Sequence, residues 1–100
     1  KAAAKMFRRA LKINPKFTLA RYNLAVTLKA LGQREEAKRE YLAIIKANPK
    51  HYWAHNDLGV LLGDEGDKEG ERRHLLQAIE IDPEGVAAKH NLKIAETPNK

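Results

Sequence analysis

The chain contains no cysteine and no serine, and threonine stands only at Thr18, Thr27 and Thr97. A disulfide framework and thiol chemistry are thereby excluded. Triad-type catalysis has no evident attacking group, because a nucleophile must sit beside its base. Apart from Phe7, no aromatic residue is interleaved with the basic residues at the start of the chain, as stacking along single-stranded nucleic acid would require. No apolar run approaches the roughly twenty residues that a bilayer-spanning helix needs, and no signal peptide is evident. Neither GxGxxG nor GxxxxGK[ST] occurs, so nucleotide phosphates have no glycine-rich cradle. The expectation is a non-enzymatic protein without cofactor or metal, and the lack of cysteine fits a reducing compartment, with the cytoplasm as the expected location.

Proline is also scarce, with four in all, yet three of them follow asparagine or aspartate at a fixed interval: Asn14-Pro15, Asn48-Pro49 and Asp82-Pro83, 34 residues apart. Proline lacks the backbone donor and pushes its predecessor out of the α region, so each pair stops a helix. Stops at constant spacing mark a repeated unit. Other columns 34 apart agree in size and polarity: Ala20, Ala54, Ala88; Leu24, Leu58, Leu92; Val26, Val60, Ile94; Asn23, Asp57, Asn91; Phe7, Tyr41, Leu75; and Leu11, Ile45, Ile79. Gly32 and Gly66 divide each unit, which reads as two helices around a glycine turn.

With Arg21, Leu24, Ala25, Leu28, Ala37, Tyr41 and Pro49 in one unit and His55, Leu58, Gly59, Leu62, Glu71, Leu75 and Pro83 in the next, the chain resembles a tetratricopeptide repeat (TPR) array. Glu71 departs from the alanine expected at its column. The resemblance covers nearly all of the chain and implies an all-α fold, an α-solenoid of antiparallel helix pairs wound as a right-handed superhelix.

About six helices are predicted, over 2–14, 18–31, 34–47, 52–64, 68–81 and 85–96. In the second, Leu19, Ala20, Tyr22, Leu24, Ala25, Leu28 and Leu31 form a wide apolar stripe while Arg21 and Lys29 point away. Residues 1–96 form one array: the second helix of a truncated repeat (1–17), full repeats over 18–51 and 52–85, and a first helix over 86–96, followed by a flexible tail at 97–100. The helix with Phe7, Ala10 and Leu11 lacks a cover on one side, whereas Lys89, His90, Lys93 and Glu96 give the last helix a solvating face.

In this family the first helix of each unit lines the concave side, so the resemblance implies a groove for a protein or peptide partner. Its expected members are Leu19, Tyr22, Asn23, Val26 and Lys29, then Trp53, Asn56, Asp57 and Val60, then His90, Asn91 and Ile94. Trp53 and Val60 can equally be core, as Tyr41 and Phe7 are expected to be, and Asn23, Asp57 and Asn91 can equally bond within the array. Some members clamp the terminal carboxylate of a chaperone tail with basic side chains and asparagine. Here those columns hold Tyr22, Val26, Asp57, Ala87 and Asn91, and Asp57 would repel such a ligand.

Charge is split between the halves. Residues 1–51 hold 13 Lys or Arg against 3 Glu, a balance of +10; residues 52–100 hold 6 against 10 Asp or Glu, a balance of −4. Lys1, Lys5, Arg8, Arg9 and Lys12 form a basic face with no acid among them. That face suits an acidic partner, nucleic acid being disfavoured for want of interleaved aromatics, or head-to-tail self-assembly against the acidic Asp64–Glu71 region. A solvated helix face is the plainer alternative. His51, His55 and Asp57 are close in sequence but are read as turn and packing residues rather than metal ligands. Gly63-Asp64-Glu65-Gly66-Asp67 lacks the later glutamate of a calcium loop and is read as the interhelix turn.

Overall fold

The computed structural model describes residues 18–97. Among them the chain forms five α-helices and no strand: α1 Thr18–Ala30, α2 Arg34–Ala47, α3 Tyr52–Asp64, α4 Lys68–Ile81 and α5 Val86–Glu96. Every limit lies within one residue of its prediction. The helix predicted over 2–14, the basic face of Lys1, Lys5, Arg8, Arg9 and Lys12, and the tail beyond Thr97 lie outside the described residues. No described helix is long and apolar enough to cross a membrane.

The turns follow from backbone chemistry. Gly32 and Gly66 sit at φ 82° and 91°, the left-handed region that glycine enters without a Cβ penalty. Gln33 N–H returns to Leu28 O at 2.9 Å and Gly32 N–H to Lys29 O at 3.0 Å; Asp67 N–H returns to Leu62 O at 2.9 Å and Gly66 N–H to Gly63 O at 3.0 Å. Both are Schellman closures that satisfy carbonyls left over at a helix end. At the other stops, Asn48 and Asp82 end α2 and α4 just before their prolines, and the Asp82 carboxylate then accepts from Glu84 N–H at 3.1 Å.

The chain divides after Pro49 into two compact units. In the first, α1 packs on α2, burying Ala20, Leu24, Ala25 and Leu28 together with Ala37, Tyr41 and Ile44. Two predicted orientations on α1 are corrected. Leu19 and Leu31, assigned to the packed stripe, are exposed, and Arg21, expected to point away, is half-buried and pairs with Glu40 at 2.8 Å. Among the described residues of its unit, α1 packs on α2 through the sector around Leu24 and Leu28.

In the second unit α3 and α4 pack together and α5 lies against both. Ala54, Leu58, Leu61, Leu75, Ala78 and Ala88 are buried, with Tyr52, Ile79, Leu92 and Ala95 packed around Leu75, Ala78 and Ala88. Full burial of a leucine contributes about 2 kcal/mol, so Leu58, Leu61 and Leu75 hold much of this unit. Gly59 permits the approach of α4, since a Cβ there would lie 3.1 Å from Leu75 Cγ.

The departure at Glu71 has a structural answer. Lys29 and Ala37 occupy two columns of the first unit; in the second the same columns hold Gly63 and Glu71, so the large and small partners have exchanged helices. A Cβ on Gly63 would collide with the Glu71 carboxylate. Glu71 Oε1 is buried without a hydrogen bond, yet Lys68 Nζ lies 3.6 Å away, beyond hydrogen-bond reach but close enough to offset charge. Gly63→Ala should therefore stabilise the chain more in a Glu71→Ala background than alone, where the new methyl must displace the carboxylate. Urea denaturation of the four proteins of this cycle measures the coupling; about 1 kcal/mol of helix propensity is the gain expected once Glu71 is removed.

A second column pair also differs between units. Arg21 and Glu40 form an ion pair, while 34 residues later His55 and His74 meet with Nδ1 atoms 3.1 Å apart and rings stacked at 5.3 Å. His55 is 3% exposed. One imidazole must donate and the other accept, so the contact depends on a lone pair. Burial, then His55 and Arg73, push the His74 pKa down to about 4 from an ordinary 6.5, with Asp67 opposing. An unfolded His74 takes up its proton as pH falls through about 6.5, whereas the folded one resists until about 4. This group's contribution is thus fully present above pH 6.5, is lost progressively between 6.5 and 4, and loses nothing further below. Thermal melts across that window should fall steeply for the natural chain and less steeply for His55→Gln/His74→Gln; equal slopes would remove the histidine pair as the cause.

Candidate functional site

A helix that leads a repeat has one side committed to its unit and another left for contacts outside it. On α1 that second side carries Leu19, 63% exposed, with Val26, and half-buried Tyr22, Asn23 and Lys29. Tyr22 is held in place by Tyr41, ring edge to ring at 6.2 Å and 64°.

In the second unit α3 and α5 present the corresponding side. Trp53 is 49% exposed, Ile94 is 60% exposed, His90 is exposed, and Asp57, Val60 and Asn91 are half-buried. Trp53 is therefore a displayed aromatic rather than core, while Tyr41 is core as expected. Asn56, expected on the displayed side, is buried, with 4% of its surface exposed. It forms the middle of a relay in which Asn56 Nδ2 donates to Asp57 Oδ1 at 3.0 Å and Asn91 Nδ2 donates to Asn56 Oδ1 at 3.0 Å. The internal-bond alternative thus describes Asp57 and Asn91 within the second unit, joining α3 to α5.

Tyr52 positions α5. The N-cap of α5 is Gly85, which has no side chain to receive the first amides. Tyr52 Oη from α3 accepts from Ala88 N–H at 2.9 Å instead, and Gly85 is close enough that a Cβ would fall 2.7 Å from that oxygen. The Tyr52 ring also meets Trp53 edge-on at 5.0 Å and 89°. Sequence reasoning missed Tyr52, because its column holds Thr18 and Val86 in the neighbouring units and carries no repeat signal.

Two histidines near this side, His51 and His55, are engaged within the unit. His51 Nδ1 accepts from Ala54 N–H at 3.1 Å as the N-cap of α3, and burial lowers its pKa, with Asp57 partly opposing. His55 turns to His74. His51, His55 and Asp57 do not converge, and among the described residues no three His, Cys, Asp or Glu side chains are grouped to hold a metal ion. The segment from Gly63 to Asp67 is the turn between α3 and α4, where Asp67 Oδ1 caps α4 by accepting from Gly70 N–H at 2.9 Å.

Residues 1–69 match a family model described as tetratricopeptide repeat. Among solved structures, YrrB, described as a TPR protein with an unusual peptide-binding site, superposes with a TM-score of 0.83 at 29% identity, over 87% of this chain and 45% of its own. MamA from Desulfovibrio magneticus RS-1, residues 41 to the end, gives 0.83 at 23% identity over 92% of this chain and 52% of its own, and so does a MamA RS-1 ArsTM double mutant. At 23% identity the MamA likeness concerns the fold alone. The chain spans about half the length of these structures, and no curated protein matches it. The 34-residue period, the paired helices closed by left-handed glycines and the family match agree, and the chain belongs to the tetratricopeptide repeat family.

Proposed function

We propose that the chain is a protein–protein interaction scaffold, without catalytic role, that holds a peptide segment of a partner against the leading helices of its repeats. The observation that carries this is the displayed side of the second unit, where Trp53 and Ile94 stand exposed around a hydrogen-bonded asparagine relay. Large apolar side chains left in water next to fixed polar groups are what a peptide site requires: apolar contact for affinity and amide groups for register. Val26 and Leu19 on α1 give the first unit a similar surface. Family membership supports the scaffold role, and YrrB, at 29% identity, is described as having a peptide-binding site of its own.

A random dodecapeptide display library selected on the whole chain tests this. Selected peptides should lose roughly tenfold or more in affinity against Trp53→Ala, as expected of an aromatic anchor. Helicity should be kept and the melting temperature should fall only a little, because the Trp53 ring is half in water and gives up one edge contact, to Tyr52. Asn23→Ala should weaken peptides that engage the displayed side of α1. Tyr22→Ala is a poorer test, since half-buried Tyr22 packs edge-on against Tyr41, a fully buried core ring. Peptides bound equally by wild type and Trp53→Ala would place recognition elsewhere.

A further inference from the structure

Among the described residues, one helix-capping side chain titrates near neutrality. His51 Nδ1 accepts from Ala54 N–H at 3.1 Å and so caps α3, whereas Asp67 caps α4 with a carboxylate, and α2 and α5 start at Gln33 and Gly85 without a side-chain cap bond. An imidazole accepts only through an unprotonated nitrogen, so this cap needs the neutral ring with its proton on Nε2. Protonation turns Nδ1 into a donor and sets a positive charge at the positive end of a helix dipole. Ala54 is fully buried, so water cannot take over as acceptor for its amide.

The turn that His51 closes contains the residues on which the displayed side depends. Tyr52 and Trp53 lie between the cap and Ala54. Tyr52 holds α5 through Ala88 N–H at 2.9 Å and meets the Trp53 ring edge-on at 5.0 Å. One lone pair on His51 thereby orders this aromatic pair and, through it, the start of α5. The charged and titratable groups about His51 are Lys50 before it in the chain, Asp57 and His55 along α3, and His90, exposed on the displayed side of α5. Burial lowers the His51 pKa from its ordinary 6.5; a hydrogen bond to its own backbone and Asp57 oppose, and His55 adds to the fall. The cap is therefore fully present above the unfolded value of about 6.5 and is lost as pH falls below it through the depressed folded value.

We propose that His51 is a proton-operated gate on the peptide side of the second unit: the neutral ring caps α3 and holds Tyr52 and Trp53 in place, and acid converts the ring to a donor, opens the turn and releases the peptide. The proposal rests on the peptide-scaffold function above and adds its regulation. A peptide that fixes Trp53 fixes the capped turn with it, so binding expels a proton from His51 wherever the free chain carries one, and affinity falls with pH by linkage. His55 and His74 also answer to acid, yet their contact joins α3 to α4 and does not involve the Ala54 amide.

Trp53 is the sole tryptophan of the chain, so its fluorescence reads the turn with no peptide present. In wild type the emission should titrate as pH falls from about 7.5 to about 5, whereas in His51→Asn, which keeps a capping oxygen that takes up no proton in this range, it should stay flat. Trp53-dependent dodecapeptides without histidine or acidic residues should lose roughly fivefold in affinity for wild type over the same range, the equivalent of one helix cap, and keep their affinity for His51→Asn. His90→Gln should leave both pH dependences in place. A titration that survives in His51→Asn, or that His90→Gln abolishes, would overturn the gate. Trp53-dependent peptides bound equally at both pH values would overturn the gate while leaving the scaffold function standing. Emission that titrates through His51 in a chain that selects no Trp53-dependent peptide would overturn the scaffold function, and the release of a peptide with it.

Discussion

Everything in this fold depends on an antiparallel turn made by one residue in the left-handed region. An amphipathic helix of thirteen or fourteen residues is marginal alone in water and must bury its apolar side against a neighbour. Gly32 and Gly66 reverse the chain within three residues, and the hydrogen bonds they allow fix which sides of the paired helices meet. Once that register is set, small residues fall opposite large ones: Gly59 admits Leu75, and Gly63 admits Glu71. The sides that remain, around Trp53 and Asn91 in one unit and Val26 in the other, are consequences of that register.

The two units show how far one framework tolerates different chemistry. The slot occupied by Arg21 and Glu40 is filled 34 residues later by His55 and His74. A half-buried ion pair is screened by salt, whereas an imidazole pair that depends on a lone pair answers to acid. The first unit is accordingly sensitive to ionic strength at the very position where the second is sensitive to pH. Glu71 illustrates the same tolerance, since its size is accommodated by a glycine one helix away and its charge by Lys68.

Much of this was legible in the sequence. Helix limits came from proline stops, glycine turns and columns of equal size, all governed by local backbone rules, and the structure places each described limit within one residue. Burial of Tyr41, Leu24 and Leu58 followed from the period. Orientation on α1 was less legible: Arg21 was set outside the stripe for its charge, yet at 100° per residue it falls between Leu28 and Ala25, inside the buried sector, where Glu40 meets it, whereas Leu19 falls well outside that sector. Asn56 was placed on the displayed side because helical angle alone cannot reveal a bond to Asn91, 35 residues away. Tyr52 escaped because its role is particular to one unit and so leaves no trace in a column comparison.

Tyr52 joins two tasks that are separate in most helical pairs. Its hydroxyl receives the first-turn amide of Ala88, standing in for a cap that Gly85 cannot provide, and its ring braces Trp53. A partner that fixes the Trp53 ring would fix Tyr52 with it, and so would hold the start of α5 in place. Because such linkage is reciprocal, anything that orders α5 favours the bound arrangement of Trp53 by the same factor. The two helices are in this sense one lever with a phenol as its fulcrum: a ligand at one end would be felt as helix order at the other.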